Sequence, residues 1–322
     1  MATPGLPLGV NISLDPRQAE ADCALAAYLG ARWVRTSQEF TWDNERWAPR
    51  LQAFRTAARN HGLLLWQTCQ GMPARFSLSR RAGHYVTTSQ SGLDWWGNQC
   101  AAAANIADAT SLGNENNGYG SDDVLPNAPA LADMCLAAVE HRNQLAAGRV
   151  LCTPELSPAG GGLHDKYVEP LLFFRTMIEH APTLLDATNL WIGWHGYCDA
   201  RWPAGTKADW NQAWRLRALD AYLDSIGHSG KVICSPEFGA ATGPSSWSAH
   251  VTPAVQAQRF DDYWAEFTNQ IAAGVKHGPM IWYSLRDYTP TSSNDWPAYC
   301  GLVDIHGRAK PVAARFRAAV AP

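Results

Sequence analysis

Ser111-Leu112-Gly113-Asn114-Glu115-Asn116, entered through Ala109-Thr110, reads as a short buried strand that stops at a carboxylate. Far downstream, Ile233-Cys234-Ser235-Pro236-Glu237-Phe238-Gly239 repeats the arrangement: a brief strand, a glutamate, then loop-forming residues. Short apolar runs bounded by turn residues fit strands covered on both faces. Two strand-end carboxyls so distant in sequence meet only in a fold that gathers strand ends on one side.

Outward from these stretches, β-rich runs alternate with longer amphipathic ones. Strands are expected at Leu8–Ile12, Trp33–Thr36, Leu63–Thr68, Ala109–Gly113, Val150–Thr153, Leu190–Trp194, Lys231–Ser235 and Met280–Ser284. The intervening helices carry start and stop signals. Asp15 caps the first, with Pro16 in its first turn and Gly30 just past its end; Asn127 precedes the run that closes at Gly148. Thr252-Pro253 opens a helix whose Phe260, Tyr263, Trp264, Phe267 and Ile271 make one apolar face. Eight strand-then-helix units predict a single α/β domain over residues 1–322, a closed (β/α)8 TIM barrel. An open doubly wound sheet is the competitor, but no GxGxxG or Walker A pattern follows an early strand, and Gly160-Gly161-Gly162 lacks that context. Helix-to-strand connections are short, whereas strand-to-helix connections such as Gly71–Ser91, Glu155–Asp165 and Phe238–Val251 are long. Long loops on the C-terminal rim build a site there.

Composition removes several classes. With 46% apolar and 17% charged residues the chain is a well-buried globular protein. A net charge of −3 gives no electrostatic case for nucleic acid or an anionic membrane. The segment Met1–Val10 has no basic n-region or apolar h-region, so no signal peptide is expected. Residence in the cytoplasm, release by lysis and carriage in a virus particle are the matching locations. The eight cysteines are scattered without a CxxC and read as buried reduced thiols; nothing in the sequence fixes the oligomeric state. The 15 tryptophans exceed what packing alone needs, and a Trp face stacks well on a sugar ring.

On the barrel, Glu115 ends strand four and Glu237 strand seven. Asn114 directly precedes Glu115, His195-Gly196-Tyr197 ends strand six, Arg35 lies in strand two and Trp282-Tyr283 in strand eight. This set resembles clan A glycoside hydrolases, the (β/α)8 retaining glycosidases with an acid/base after strand four and a nucleophile after strand seven. Their Asn-Glu pair is similar to Asn114-Glu115, their strand-seven glutamate to Glu237-Phe238-Gly239, and their strand-six His-x-Tyr to His195 and Tyr197. A strand-two Arg matches Arg35, a strand-eight Trp matches Trp282, and the closing segment from Gly301 to Pro311 resembles the end of such barrels. One departure stands out: the common Asn-Glu-Pro is here Asn114-Glu115-Asn116, so no family within the clan is indicated.

The resemblance implies a carbohydrate substrate and double displacement through a covalent glycosyl-enzyme, without metal or cofactor. Glu237 would attack as an ionised carboxylate, held charged and oriented by Tyr197 and Arg35. Glu115 would begin protonated, its pKa raised by burial and by Glu237, and protonate the leaving oxygen. Asn114 would bond a hydroxyl beside the reacting centre, His195 would contact substrate, and Trp282 would floor a subsite by stacking. Glu155 after strand five is the main rival acid, and Glu39 a weaker one. Metal hydrolysis finds no HxH or HExxH among ten isolated histidines, and serine chemistry finds no GxSxG. The alternative of another class is a non-catalytic carbohydrate-binding protein on the same barrel.

Overall fold

The computed structural model of the chain describes residues 7–40, 47–77, 86–118, 127–158, 168–197, 212–243, 251–291 and 296–320. Eight strands follow one another in chain order: β1 (Leu8–Asn11), β2 (Trp33–Glu39), β3 (Leu64–Gln70), β4 (Ala109–Ser111), β5 (Val150–Cys152), β6 (Leu190–Gly193), β7 (Ile233–Phe238) and β8 (His277–Trp282). Neighbours pair in parallel, and β1 pairs with β8 through Leu8–Met280, Gly9–Ile281 and Val10–Trp282, closing the sheet into a barrel. A helix follows each strand: α1 (Ala19–Tyr28), α2 (Trp47–Asn60), α3 (Gln90–Ile106), α4 (Ala128–Leu145), α5 (Pro170–His180), α6 (Gln212–Ser225), α7 (Pro253–Ala272) and α8 (Pro311–Val320). The expected (β/α)8 order is the observed one. Boundaries shift by a few residues; β8 starts at His277 and ends at Trp282.

Local signals act where the sequence places them. Asp15 accepts from the Arg17 N–H and leads through a 3-10 turn at Pro16–Gln18 into α1, and Thr252 accepts from the Val255 N–H at the start of α7. Those hydrogen bonds satisfy N–H groups that a helix start otherwise leaves unpaired. Gly30 and Gly148 take φ of 87° and 81° just beyond α1 and α4, a conformation that suits glycine.

The chain divides into two compact units, one of residues 1–35, 57–64 and 195–322, the other of residues 36–56 and 65–194. In the first, Phe238 of β7 packs against Phe260, Tyr263 and Phe267 of α7 and against Trp282 of β8, with ring centroids 5.3–6.3 Å apart. Truncating such a buried ring costs about 3–5 kcal/mol. In the second, α3 and α4 approach closely at Gly97, where a Cβ would stand 2.4 Å from the His141 ring and 2.9 Å from the Ala137 carbonyl oxygen. Arg55 of α2 pairs with Asp108 at the foot of β4, and Asp108 also accepts from the Leu65 N–H. The seven described cysteines are free and buried. No helix among the described residues is long and apolar enough to cross a membrane.

Candidate functional site

Glu237 owes its position to a proline. Pro236 has no N–H for the ladder, so a regular pairing cannot run through it. The β7–β8 register slips there: Ser235 pairs with Met280 and Phe238 with Trp282, three steps on β7 against two on β8. Such a bulge re-aims side chains. Phe238 turns to the aromatic cluster of α7, while Glu237 turns to β2 and to the segment after β6.

Both oxygens of Glu237 are engaged. Oε1 accepts from Arg35 Nη1 at 2.7 Å, Oε2 accepts from the Tyr197 hydroxyl at 2.8 Å, and His195 Nδ1 stands 3.6 Å from Oε2. Arg35 is 2% exposed and also donates to Asn11 Oδ1 at the end of β1, 3.1 Å away. The Glu237 side chain keeps 12% of its surface open. Burial and the charge of Glu237 push the Tyr197 hydroxyl well above the ordinary tyrosine range, so it stays a neutral donor. The Gly196 N–H donates to the Glu237 carbonyl. Gly239 is required by close approach, since a Cβ there would lie 2.5 Å from the Tyr283 carbonyl oxygen. Nitrogen and phenol donors around one carboxylate suit an anion held for reaction better than a set of metal ligands.

Glu115 is reached differently. β4 ends at Ser111, and the chain continues through Gly113 into a single parallel bridge between Asn114 and Glu155. Gly113 takes φ 151°, and a Cβ on it would stand 2.1 Å from Asn116 Oδ1. Glu115 itself has φ 50°, the left-handed region that non-glycine residues rarely occupy. Its N–H donates to the Glu155 carbonyl at 2.6 Å, and its own carbonyl accepts from the Gly118 N–H at 2.9 Å. Asn117 is fully buried and anchors the turn: Nδ2 donates to the Ser157 and Val168 carbonyls, and Oδ1 accepts from the Ser157 N–H. Asn114 and Glu115 remain partly exposed, as a group meeting substrate needs to be.

Two expectations change. Trp282 is not a subsite floor: its ring is fully buried against Phe238 and Phe260, with Nε1 donating to the Cys300 carbonyl. Tyr283 is the partly exposed neighbour; burial first, and then Glu237, raise its hydroxyl well above the usual range. Strand alternation was the signal, since adjacent residues face opposite sides. Glu155 is not a rival acid, because it is 0% exposed and its Oε1 accepts from Thr68 Oγ1 and Trp66 Nε1. Asn11 was missed altogether, although a polar residue inside an apolar run marked it. The Glu39 side chain, Arg80, Arg81, Tyr85, Gly160–Gly162 and Cys198 lie outside the described residues.

No family model matches this sequence, and no curated protein matches it. Solved structures do share its fold. GH5_18 from Streptomyces cattleya, in complex with GlcNAc, aligns with a TM-score of 0.69 at 18% identity over 98% of this chain and 80% of that one. A GH5_18 from Bifidobacterium longum subsp. infantis gives 0.69 at 15% identity, covering 99% and 79%. A family 39 glycoside hydrolase from the gut symbiont Bacteroides cellulosilyticus WH2 gives 0.67 at 13%, covering 98% and 63%. At these identities the likeness establishes the fold: the chain is built on the same barrel as these glycoside hydrolases.

Proposed function

We propose that the chain is a retaining glycoside hydrolase working as one domain, with Glu237 as nucleophile and Glu115 as acid/base. The observation that carries the reading is the environment of Glu237, one carboxylate oxygen held by a buried guanidinium and the other by a neutral phenol. In support, Glu237 lies near the end of β7 and Glu115 follows β4, in a chain whose strands take the parallel barrel order.

The chemistry follows. In the first step a Glu237 oxygen bonds to the anomeric carbon as the glycosidic C–O bond breaks, and Glu115 gives its proton to the departing oxygen. Glu115 must therefore carry a proton while Glu237 does not. In the second step water attacks the anomeric carbon, Glu115 takes the water's proton, and the ester bond to Glu237 breaks. Both carboxyls return to their starting states. Arg35, Tyr197 and His195 orient Glu237 throughout, Asn114 bonds a hydroxyl beside the reacting carbon, and Tyr283 takes the place that the buried Trp282 leaves. No cofactor enters these steps.

The substrate is a carbohydrate, an oligo- or polysaccharide. Among similar structures one holds GlcNAc and others hold Manβ1-4GlcNAc, so β-mannosides and GlcNAc-containing glycans belong in the first panel. The test is turnover on that panel by wild type and by Glu237→Gln. Turnover should fall by at least ~10³-fold in the variant while glycan binding persists. A wild type that binds glycans and cleaves none would instead make it a carbohydrate-binding protein.

A further inference from the structure

Glu155 is a buried carboxyl that the proposed reaction leaves unused. It follows β5 and is fully enclosed, and its Oε1 accepts from two residues of β3, Thr68 Oγ1 at 2.9 Å and Trp66 Nε1 at 3.1 Å, the latter N–H being shared with Ser111 Oγ at 2.9 Å. Its backbone serves another segment. The Glu155 N–H donates to the Gly113 carbonyl at 3.1 Å, and its carbonyl accepts from the Glu115 N–H at 2.6 Å. One residue is thus fastened by its side chain to a barrel strand and by its main chain to the loop that carries Glu115.

Both halves of that arrangement need a reason. An enclosed carboxyl is costly to desolvate, and an apolar residue would fill the space without that cost. Glu115 in turn holds a left-handed backbone, which persists only where the surroundings over-determine it. The bridge between Asn114 and Glu155 over-determines it together with the buried Asn117 that anchors the turn, and the bridge is only as fixed as residue 155.

We infer that Glu155 is a positioning residue: its carboxyl, clamped by Thr68 and Trp66, fixes the strand-five backbone that holds Glu115 in its left-handed conformation. The inference rests on the reading of Glu115 as the acid. It differs from a stability role in what it governs, which is delivery of the proton to the leaving group.

The test uses the full-length protein with phenyl and 2,4-dinitrophenyl β-glycosides of glucose, mannose and N-acetylglucosamine, taking the sugar that wild type cleaves. Dinitrophenolate departs without a proton and phenolate does not, and kcat/KM reports bond cleavage before ester hydrolysis. In Glu155→Ala, kcat/KM should fall roughly 10–100-fold on the phenyl glycoside, as expected for a misplaced catalytic group, and little on the dinitrophenyl one. Glu155→Gln should recover most of the loss, because one amide oxygen can accept from both Thr68 and Trp66. An equal loss on both substrates, or no rescue by Gln, overturns the inference and leaves a purely structural residue. If Glu155→Ala fails to fold, Thr68→Val decides: a several-fold loss confined to the phenyl glycoside supports the inference, and an unchanged ratio of the two rates overturns it. Glu115→Gln separates the two levels. If it shows no leaving-group dependence, the reading of Glu115 falls; if it does and the Glu155 and Thr68 variants do not, only the positioning role falls.

Discussion

Glu115 occupies a backbone conformation that glutamate does not choose. A left-handed φ of 50° costs an L-residue about 1–2 kcal/mol, and that cost falls where chemistry is proposed. Asparagine tolerates the same region far better. Glu115→Asn is therefore expected to match or exceed wild-type stability, by up to about 1 kcal/mol, while losing turnover. Thermal unfolding monitored by circular dichroism checks the first half, and a clear drop in midpoint would show that the glutamate side chain stabilises its own loop. At this scale the sequence was informative about identity and less so about direction. Arg35, His195, Tyr197 and Glu237 were all legible from strand placement. Trp282 reads as inward because a Trp invites stacking, whereas the aromatic face of α7 claims it. That pull comes from a helix whose packing partner no local pattern specifies. Glu155 resembles a reagent in sequence because burial is not written in a residue's type.

Between strands, the decisive event is the bulge around Pro236, which separates Phe238 from Glu237 and gives each its own neighbourhood. Proline in a strand was legible; which side gained the residue was not, because register belongs to a pair of strands. β8 contributes a second element-scale feature at its first residue. His277 Nε2–H donates to Gln270 Oε1 of α7 at 2.8 Å. Burial lowers the His277 pKa from 6.5 to about 4, with a backbone hydrogen bond to Ile233 opposing part of the shift. The folded state thus prefers neutral His277, while the unfolded chain takes up a proton near pH 6.5. Its stabilising contribution is complete above that pH, is lost as pH falls from 6.5 to about 4, and changes no further below. The loss is about 3 kcal/mol. Unfolding midpoints across pH 4–7 should flatten in this window for His277→Gln; an unchanged slope would assign the acid sensitivity to other groups.

For the molecule as a whole, the eight-unit order was readable because each strand-helix unit carries its own caps, turns and periodicity. Closure adds one set of hydrogen bonds that no single unit encodes, the pairing of β1 with β8. The last turn of the chain is fastened by a buried charge that carries no signal in the sequence. Lys310, just before α8, donates through Nζ to Asp287 at 2.7 Å, to Thr242 Oγ1 at 2.8 Å and to the Tyr299 carbonyl at 2.9 Å, with both charged side chains less than one-tenth exposed. It joins the segments after β7 and β8 to the final helix. Lys310→Met leaves Asp287 buried without its partner, and should lower stability by about 3–5 kcal/mol in chemical denaturation. A change below ~1 kcal/mol would mean the clasp only orders the loops.

The central claim is that Glu237 attacks and Glu115 gives and then takes a proton, which demands two inversions at one carbon. Proton NMR of the first sugar released from an aryl glycoside, recorded before mutarotation, reads the outcome directly. Double displacement predicts a product with the anomeric configuration of the substrate. A product of opposite configuration would contradict the assignment of Glu237 as nucleophile.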